Sequence, residues 1–253
     1  MNLVEHHGYQ IPRKLAVKTG TLPDFTAVSD HHIQLLEKYG DLHSSMNVLE
    51  IGCGVGRDAI TLSRVLSSEG SYIGIDIIRE SINWAAENIA LPNFKFVHFD
   101  VSDQQHNPRG TGSMRDYQVP SENSSADLVF LFSVFTHMFP GDVSKYLREF
   151  SRVMKPHAKA VASMFVVNRE VQKHLISIGG GGLRKLTFAH EVEPGFFHND
   201  PDVVPGATGY SRERIEIMAK DAGLILHRVA KGSWSREGHF EIQGQDLIVF
   251  QKP

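Results

Sequence analysis

Three glycines spaced two residues apart, directly behind an acid, are the strongest chemical signal in the sequence. An apolar run from Val48 reaches the acid Glu50, and an amphipathic stretch begins at Asp58. The glycines between them are Gly52, Gly54 and Gly56. This order predicts a strand, a tight turn and a helix. Glycine is needed where φ is positive or where a side chain would push a ligand away, so the segment predicts a nucleotide-binding α/β unit.

The spacing of the glycines separates two classes of nucleotide ligand. A dinucleotide-binding turn follows Gly-x-Gly-x-x-Gly, whose third glycine lets the helix pack close behind a pyrophosphate. Here Arg57 stands at that third position, which disfavours an NAD-dependent oxidoreductase. The pattern instead resembles motif I of the class I S-adenosylmethionine (SAM) methyltransferases. That resemblance implies SAM as cofactor and S-adenosylhomocysteine (SAH) as its product.

Apolar runs alternate with amphipathic stretches along most of the chain. The expected strands are 46–51, 71–76, 94–99, 127–132, 159–167, 224–229 and 245–251. The expected helices are 28–39, 58–66, 80–89, 142–154 and 212–222. This alternation predicts an α/β fold, a mostly parallel sheet with helices on both faces. The connection 230–244 has no helical pattern, so the seventh strand is expected to be antiparallel, as in the Rossmann-like class I methyltransferase fold.

Ligands of an open parallel sheet bind outside the carboxyl ends of its strands. Asp76 ends the second strand, where a carboxylate can accept from both ribose hydroxyls or can cap the next helix. Asp100 and Val101 follow the third strand. The resemblance implies the adenine amino group for Asp100 and a ring nitrogen for the N–H of Val101, with capping again as the alternative. The residues predicted to contact the cofactor are Glu50, Gly52, Cys53, Gly54, Arg57, Asp76, Ile77, Asp100, Val101, Phe132 and Ser133.

Three residues of the first turn have distinct expected roles. Glu50 is expected to organise the glycine loop through backbone N–H groups. Arg57 either reaches the carboxylate of SAM or is an exposed arginine of the first helical turn. Cys53 is expected to be a small filler rather than a nucleophile.

The segment Phe132–His137 follows the fourth strand and is expected to border both the methionine end of SAM and the acceptor. It lacks the Asn-Pro-Pro-Tyr or Asp-Pro-Pro-Tyr sequence of many methyltransferases that act on nucleic-acid bases. His137 is the predicted catalytic residue, because imidazole titrates near neutrality and can deprotonate a hydroxyl. The alternative is a packed histidine bonded to a backbone carbonyl.

The long connection 168–211 is rich in aromatic residues, histidine and glycine. Long connections in compact domains are often functional, so we predict a lid hinged at the run Gly179–Gly182. With the N-terminal segment around 25–32 it is expected to cover the acceptor. The predicted substrate-binding residues are His190, Phe197 and His198. The alternative is that these aromatics only pack an extra helix onto the sheet. The expected organisation is a helical cap at 1–45 and a methyltransferase domain at 46–253.

The resemblance extends to a bacterial group of small-molecule class I methyltransferases. The matching segments are 70–77, 107–110, 130–138, 143–155, 232–234 and 245–249. Such proteins usually carry Lys-Pro-Gly-Gly before the fifth strand, where this chain has Lys155-Pro-His-Ala. The resemblance implies methyl transfer to an oxygen of a small molecule such as a sugar or natural product, with nitrogen second. The alternative is a SAM-binding protein or partner subunit without catalysis.

Composition limits the partners. The chain has 253 residues, 41% hydrophobic and 22% charged, with a net charge of −3. Lysine and arginine are scattered, which disfavours a nucleic-acid partner. No apolar run reaches the roughly 18–20 residues of a membrane span, and no secretory signal or metal-ligand spacing is visible. Cys53 is the single cysteine, so a reducing cytoplasm is expected.

Overall fold

The computed structural model describes most of the chain in two compact units, Met1–Phe130 and Leu131–Pro253. The described residues are 2–20, 22–101, 110–112, 118–182, 185–200, 202–203 and 206–253. Residues 107–109 of the matching segments, most of the connection 102–126, and residues 183–184, 201 and 204–205 of the expected lid lie outside them.

The first unit starts with a hairpin and two helices that precede the glycine turn. These elements are β1 (Leu3–His6), β2 (Tyr9–Pro12), α1 (Arg13–Thr19) and α2 (Phe25–Gly40). The alternating part follows as β3 (Asn47–Ile51), α3 (Arg57–Leu62), β4 (Ser71–Asp76), α4 (Arg79–Asn88), β5 (Phe94–His98) and β6 (Ala126–Leu131). The hairpin and α1 were not predicted, because their short segments carry no clear periodicity.

The second unit continues the alternation and contains the predicted insertion. Its elements are α5 (Pro140–Val153), β7 (Met154–Met164), α6 (Arg169–Ser177), β8 (His190–Glu193), β9 (Phe196–His198), β10 (Thr208–Tyr210), α7 (Arg212–Asp221), β11 (Ile225–Ala230) and β12 (Asp246–Gln251). Within the insertion, α6 and the small antiparallel sheet β10-β9-β8 were missed by the sequence analysis.

The principal sheet has seven strands in the order β11-β12-β7-β6-β3-β4-β5. β3 pairs in parallel with β4 and β6, and β4 pairs in parallel with β5. β12 is antiparallel to both β7 and β11, which confirms the predicted reversal of the last strand. Helices lie on both faces, which explains the apolar character of the inner strands. Among the described residues, no helix combines the length and apolar character that a membrane span requires.

At the start of β7 this chain departs from the usual glycine pair although the backbone there favours glycine. β7 begins at Met154, five residues before the expected position 159, so Lys155-Pro-His-Ala lies inside the strand. His157 there has a φ of 66°, in the left-handed region that favours glycine. Its N–H still donates to the Lys252 carbonyl at 3.0 Å. A histidine therefore occupies a conformation for which glycine is the better residue.

We expect His157→Gly to stabilise the protein by about 1 kcal/mol, because it removes the left-handed strain of an exposed side chain. The measurement is urea unfolding of the variant and of wild type. His43→Gly is the control, since His43 is exposed and its φ is not positive; it should give no gain. Equal or lower stability of His157→Gly would contradict the assignment of strain.

Candidate active site

All three glycines of the loop after β3 have positive φ, which explains their spacing. The values are 80° for Gly52, 55° for Gly54 and 77° for Gly56. The N–H groups of Gly52 and Cys53 both donate to the Ile75 carbonyl, at 2.7 and 3.1 Å. The loop thus folds back onto the end of β4 in a conformation that side-chain-bearing residues rarely adopt.

Two of these glycines are also required by close neighbours. A Cβ on Gly54 would lie 2.3 Å from the hydroxyl oxygen of Thr19, the last residue of α1. The same hydroxyl accepts the N–H of Val55 at 3.2 Å. A Cβ on Gly56 would lie 2.6 Å from Cδ1 of Ile89. The N-terminal segment therefore packs directly on the glycine loop.

Asp76 joins the glycine loop to the start of the next helix. Its Oδ2 accepts the N–H of Gly54 at 2.7 Å, and its Oδ1 accepts the N–H of Ile78 at 2.7 Å. The contact with Ile78 closes a local turn, and Asp76 is not the N-cap of α4: Ile78 holds that position, and no side-chain cap bond is made there. The ribose contact stays a prediction.

Glu50 is buried and bonded to Tyr72, whose hydroxyl donates to Oε2 at 2.5 Å. Burial raises the pKa of Glu50 well above its usual value, and the charge of Asp58 raises it further. The expectation that Glu50 takes N–H groups of the glycine loop is wrong. Those of Gly52 and Gly54 donate to Ile75 and Asp76 instead.

Cys53 is buried behind the loop, consistent with a filler. Its Sγ lies 2.9 Å from where a Cβ on Gly74 would be. Burial raises the pKa of this thiol well above its ordinary value, and the charges of Asp76 and Glu50 raise it further. A thiol held neutral in this way is a poor nucleophile.

Arg57 is buried, with only 8% of its surface exposed, so the exposed first-turn alternative is wrong. Its Nε donates to Oδ1 of Asp58 at 3.3 Å, and its guanidinium carbon lies 5.5 Å from the centre of the Phe25 ring. Among the described residues, no hydrogen bond involves its two terminal nitrogens. Arg57 therefore keeps cationic donors for a carboxylate.

A buried polar network ties the N-terminal segment to the start of α3. Nε2 of His6 donates to the Arg57 carbonyl at 2.8 Å, so Nδ1 accepts from Thr26 at 2.9 Å. The Ser29 hydroxyl lies 3.1 Å from the same carbonyl. Nδ1 of His32 contacts Oδ2 of Asp58 at 2.7 Å.

The charges of this network are balanced within it. Burial would raise the pKa of Asp58, but His32 and Arg57 outweigh burial and hold it well below the usual range. Burial lowers the pKa of His32 despite the attraction of Asp58. Near neutral pH we therefore take Asp58 as ionised, with Nδ1 of His32 donating to it.

The predicted adenine contacts at the end of β5 are engaged within the chain. A carboxylate oxygen of Asp100 accepts from the Thr111 hydroxyl at 2.8 Å. The N–H of Val101 donates to the Phe99 carbonyl at 2.8 Å. The carbonyl of Ile77 lies 3.1 Å from Nε2 of His98. A contact of Val101 with an adenine nitrogen would require its present bond to open.

In the second unit, the turn after β6 is packed against the insertion. Phe132 is half-buried and Ser133 exposed, and Phe135–His137 form a 3-10 turn with His137 half-buried. The Tyr210 hydroxyl donates to the Met138 carbonyl at 2.6 Å, and Thr208 bonds to the Phe135 carbonyl at 3.3 Å. β10 thus holds the turn that carries His137.

The three predicted substrate residues have different environments. His190 is exposed at the start of β8. Phe197 is buried in an apolar cluster with Phe188 and Trp234, as the packing alternative expects. His198 is 2% exposed, its ring stacks on Phe139 with centroids 6.0 Å apart, and neither of its ring nitrogens has a bonding partner among the described residues. Buried polar atoms nearly always have a partner, so His198 is a candidate ligand contact.

The glycine run after α6 is held rather than loose. Gly180 donates to the Leu175 carbonyl at 2.7 Å, and Gly181 and Leu186 exchange two backbone bonds of 2.8 Å. A Cβ on Gly181 would lie 2.5 Å from the Trp234 carbonyl oxygen. A hinge here stays a prediction.

A family model described as a methyltransferase domain matches residues 42–179, more than half of the chain. The chain belongs to this methyltransferase family. Its fold is that of the class I SAM-dependent enzymes, and SAM is the cofactor that goes with it.

Known proteins similar to this methyltransferase include one that is named for a tRNA substrate. Methyltransferase GfsG of Streptomyces halstedii is 26% identical over 53% of this chain and 42% of its own length. The tRNA N(3)-cytidine methyltransferase METTL2 of Gallus gallus is 24% identical over 49% of this chain and 31% of its own. The chain thus spans less than half of either relative. A SAM-dependent methyltransferase structure from Aquifex aeolicus has a TM-score of 0.54 at 19% identity, covering 90% of this chain and 92% of its own.

Sequence reasoning missed the residues that hold the methyltransferase's glycine loop from outside. Thr19, His6, Ser29 and Tyr72 contact it or its flanks across long chain distances. Residue spacing does not predict such contacts, because they depend on where the N-terminal helices pack. The acid Asp58 in the first turn of the helix was the only local signal.

We expect acid to loosen the N-terminal segment. Burial lowers the pKa of His6 and His32 in the folded protein from the ordinary 6.5. Below that value the unfolded chain therefore binds more protons, and stability falls as the pH falls. The measurement is the thermal midpoint between about pH 7.5 and about pH 5.5. His6→Gln, which keeps a donor for Arg57, should flatten this dependence, whereas the exposed control His227→Gln should not. An unchanged slope in His6→Gln would contradict the role of His6.

Proposed function

We propose that this protein transfers the methyl group of SAM to an oxygen of a small molecule such as a sugar or natural product, with nitrogen as the second choice. The observation that carries this proposal is the contact between Asp76 and Gly54. It sets a half-buried carboxylate against a loop whose three glycines keep side chains away. A nucleoside with free ribose hydroxyls suits that combination.

We assign residues of the first unit to three parts of SAM, namely the ribose, the amino-acid carboxylate and the adenine. In this proposal the carboxylate of Asp76 accepts from the ribose hydroxyls, and the terminal nitrogens of Arg57 donate to the amino-acid carboxylate. Asp100, which follows β5, is proposed to accept from the adenine amino group. The sulfonium supplies an already activated methyl group, so the chain's own task is mainly to align the acceptor and exclude water.

The second unit supplies the groups proposed to meet the acceptor. His137 lies in a turn that β10 holds, and Phe139, two residues later, stacks on His198. A buried imidazole with unbonded nitrogens beside an aromatic ring suits a polar ring with apolar faces. We propose His137 as the base when the acceptor hydroxyl has a high pKa.

Two other functions are compatible with the family. One relative modifies tRNA; against a similar role stand the net charge of −3 and the scattered basic residues. The other candidate is a partner subunit that binds SAM without catalysis. Such a subunit would have no need of the base that we propose for His137. We also propose the cytoplasm as the compartment, in keeping with the buried free thiol of Cys53.

The test is transfer of label from methyl-labelled SAM to a panel of sugars, phenols and total tRNA. We expect label in a hydroxyl compound and none in tRNA. His137→Ala should lower turnover by about 10²–10⁴-fold while SAH affinity stays constant. The exposed His43→Ala is the control and should leave turnover unchanged. Label in tRNA alone, or SAH binding without any transfer, would contradict the proposal.

A further inference from the structure

Ser133, the second residue after β6, has a strained backbone. Its φ is 59°, a left-handed value that side-chain-bearing residues seldom adopt. Its N–H donates to the hydroxyl oxygen of Ser163, near the end of β7, at 2.7 Å. Backbone strain of this kind persists only where the surroundings enforce it, and it is frequent at binding sites.

A chain of hydrogen bonds leads from Ser133 to Gln245. Because the Ser163 oxygen accepts the N–H of Ser133, its own proton is directed onward to Oε1 of Gln245, 2.6 Å away. The Ser133 hydroxyl donates to the same oxygen at 3.2 Å. Two donors on Oε1 fix the orientation of the amide, since the opposite orientation would set N–H groups against these hydroxyls.

The backbone on both sides of Gln245 is held rigidly. Asp246 is buried and accepts three N–H groups, from Gly232 at 2.8 Å, Val166 at 2.7 Å and the indole of Trp234 at 2.7 Å. On the other side, the Gly244 carbonyl accepts the N–H of Trp234 at 3.0 Å. Gln245 therefore presents its amide from a fixed position.

The outward side of this cluster offers one donor group next to one acceptor. Among the described residues, none accepts a hydrogen bond from Nε2 of half-buried Gln245, which carries two protons. The Ser133 hydroxyl donates inward, so its lone pairs remain as acceptors. A hydroxyl both donates and accepts, whereas an ammonium group only donates. The pair is therefore complementary to a hydroxyl.

We propose that Nε2 of Gln245 and Oγ of Ser133 together bind a hydroxyl group of the methyl acceptor. This inference rests on the proposed function. The sequence analysis predicted that Ser133 contacts the cofactor, whereas this inference assigns Ser133 to the acceptor. Ser163 is then a positioning residue, which acts by orienting the Gln245 amide. The arrangement selects hydroxyl groups over ammonium groups.

The test is saturation-transfer NMR on the SAH-saturated protein with methyl α-D-glucopyranoside as the hydroxyl probe. Tetrahydropyran, the same ring without hydroxyls, is the ligand control. Wild type should transfer saturation to the glucoside and not to tetrahydropyran. Gln245→Leu should weaken glucoside binding about tenfold, the loss of one well-oriented hydrogen bond. Gln243→Leu is the matched control, because Gln243 is exposed and also bonds a serine hydroxyl; it should bind like wild type.

Calorimetry with SAH separates this inference from the proposed function. SAH affinity should be equal in wild type and Gln245→Leu, which also shows that the variant folds. Ser163→Ala should weaken the glucoside alone, through loss of amide orientation. Glucoside binding by Gln245→Leu at wild-type strength, or none by wild type that binds SAH, would overturn the inference alone. Failure of wild type to bind SAH would overturn the proposed function with it.

Discussion

The two backbone contacts of Asp76 are the interaction on which the cofactor side of the molecule depends. One carboxylate oxygen holds Gly54 and the other holds Ile78 at the start of α4. Charge-assisted bonds of this kind are about twice as strong as neutral ones. They hold the glycine loop in its left-handed conformation and at the same time fix the orientation of the carboxylate. The conformation of the loop and the orientation of the acid are therefore coupled, because one hydrogen bond joins Gly54 to Asp76.

The N-terminal segment adds a second set of constraints on the same loop. Thr19 fills the space that a side chain on Gly54 would need, and His6 holds the carbonyl of Arg57. The backbone of the loop and of Arg57 is thereby held by residues more than thirty positions earlier in the chain. The segment thus contacts the glycine loop and the start of α3, although no sequence motif marks it.

The sequence was sufficient for features that depend on local chemistry. Apolar runs gave the seven strands, and the missing helical pattern at 230–244 gave the reversed last strand. The glycine spacing predicted the tight turn between β3 and α3, where all three glycines have positive φ. Features that depend on distant contacts were not predictable. The burial of Arg57 depends on Phe25, the strands β8–β10 are too short for a periodic signal, and the amide of Gln245 is oriented by serines from two other elements.

Calorimetric titration of SAH into Asp76→Ala tests the central claim most directly. Asp127→Ala is the matched control, because Asp127 also accepts a backbone N–H, that of Asn47 at 2.9 Å, but at the opposite end of β3. The account predicts that SAH affinity falls by about 10- to 100-fold in Asp76→Ala and stays at the wild-type value in Asp127→Ala. Unchanged SAH affinity in a folded Asp76→Ala protein would contradict it.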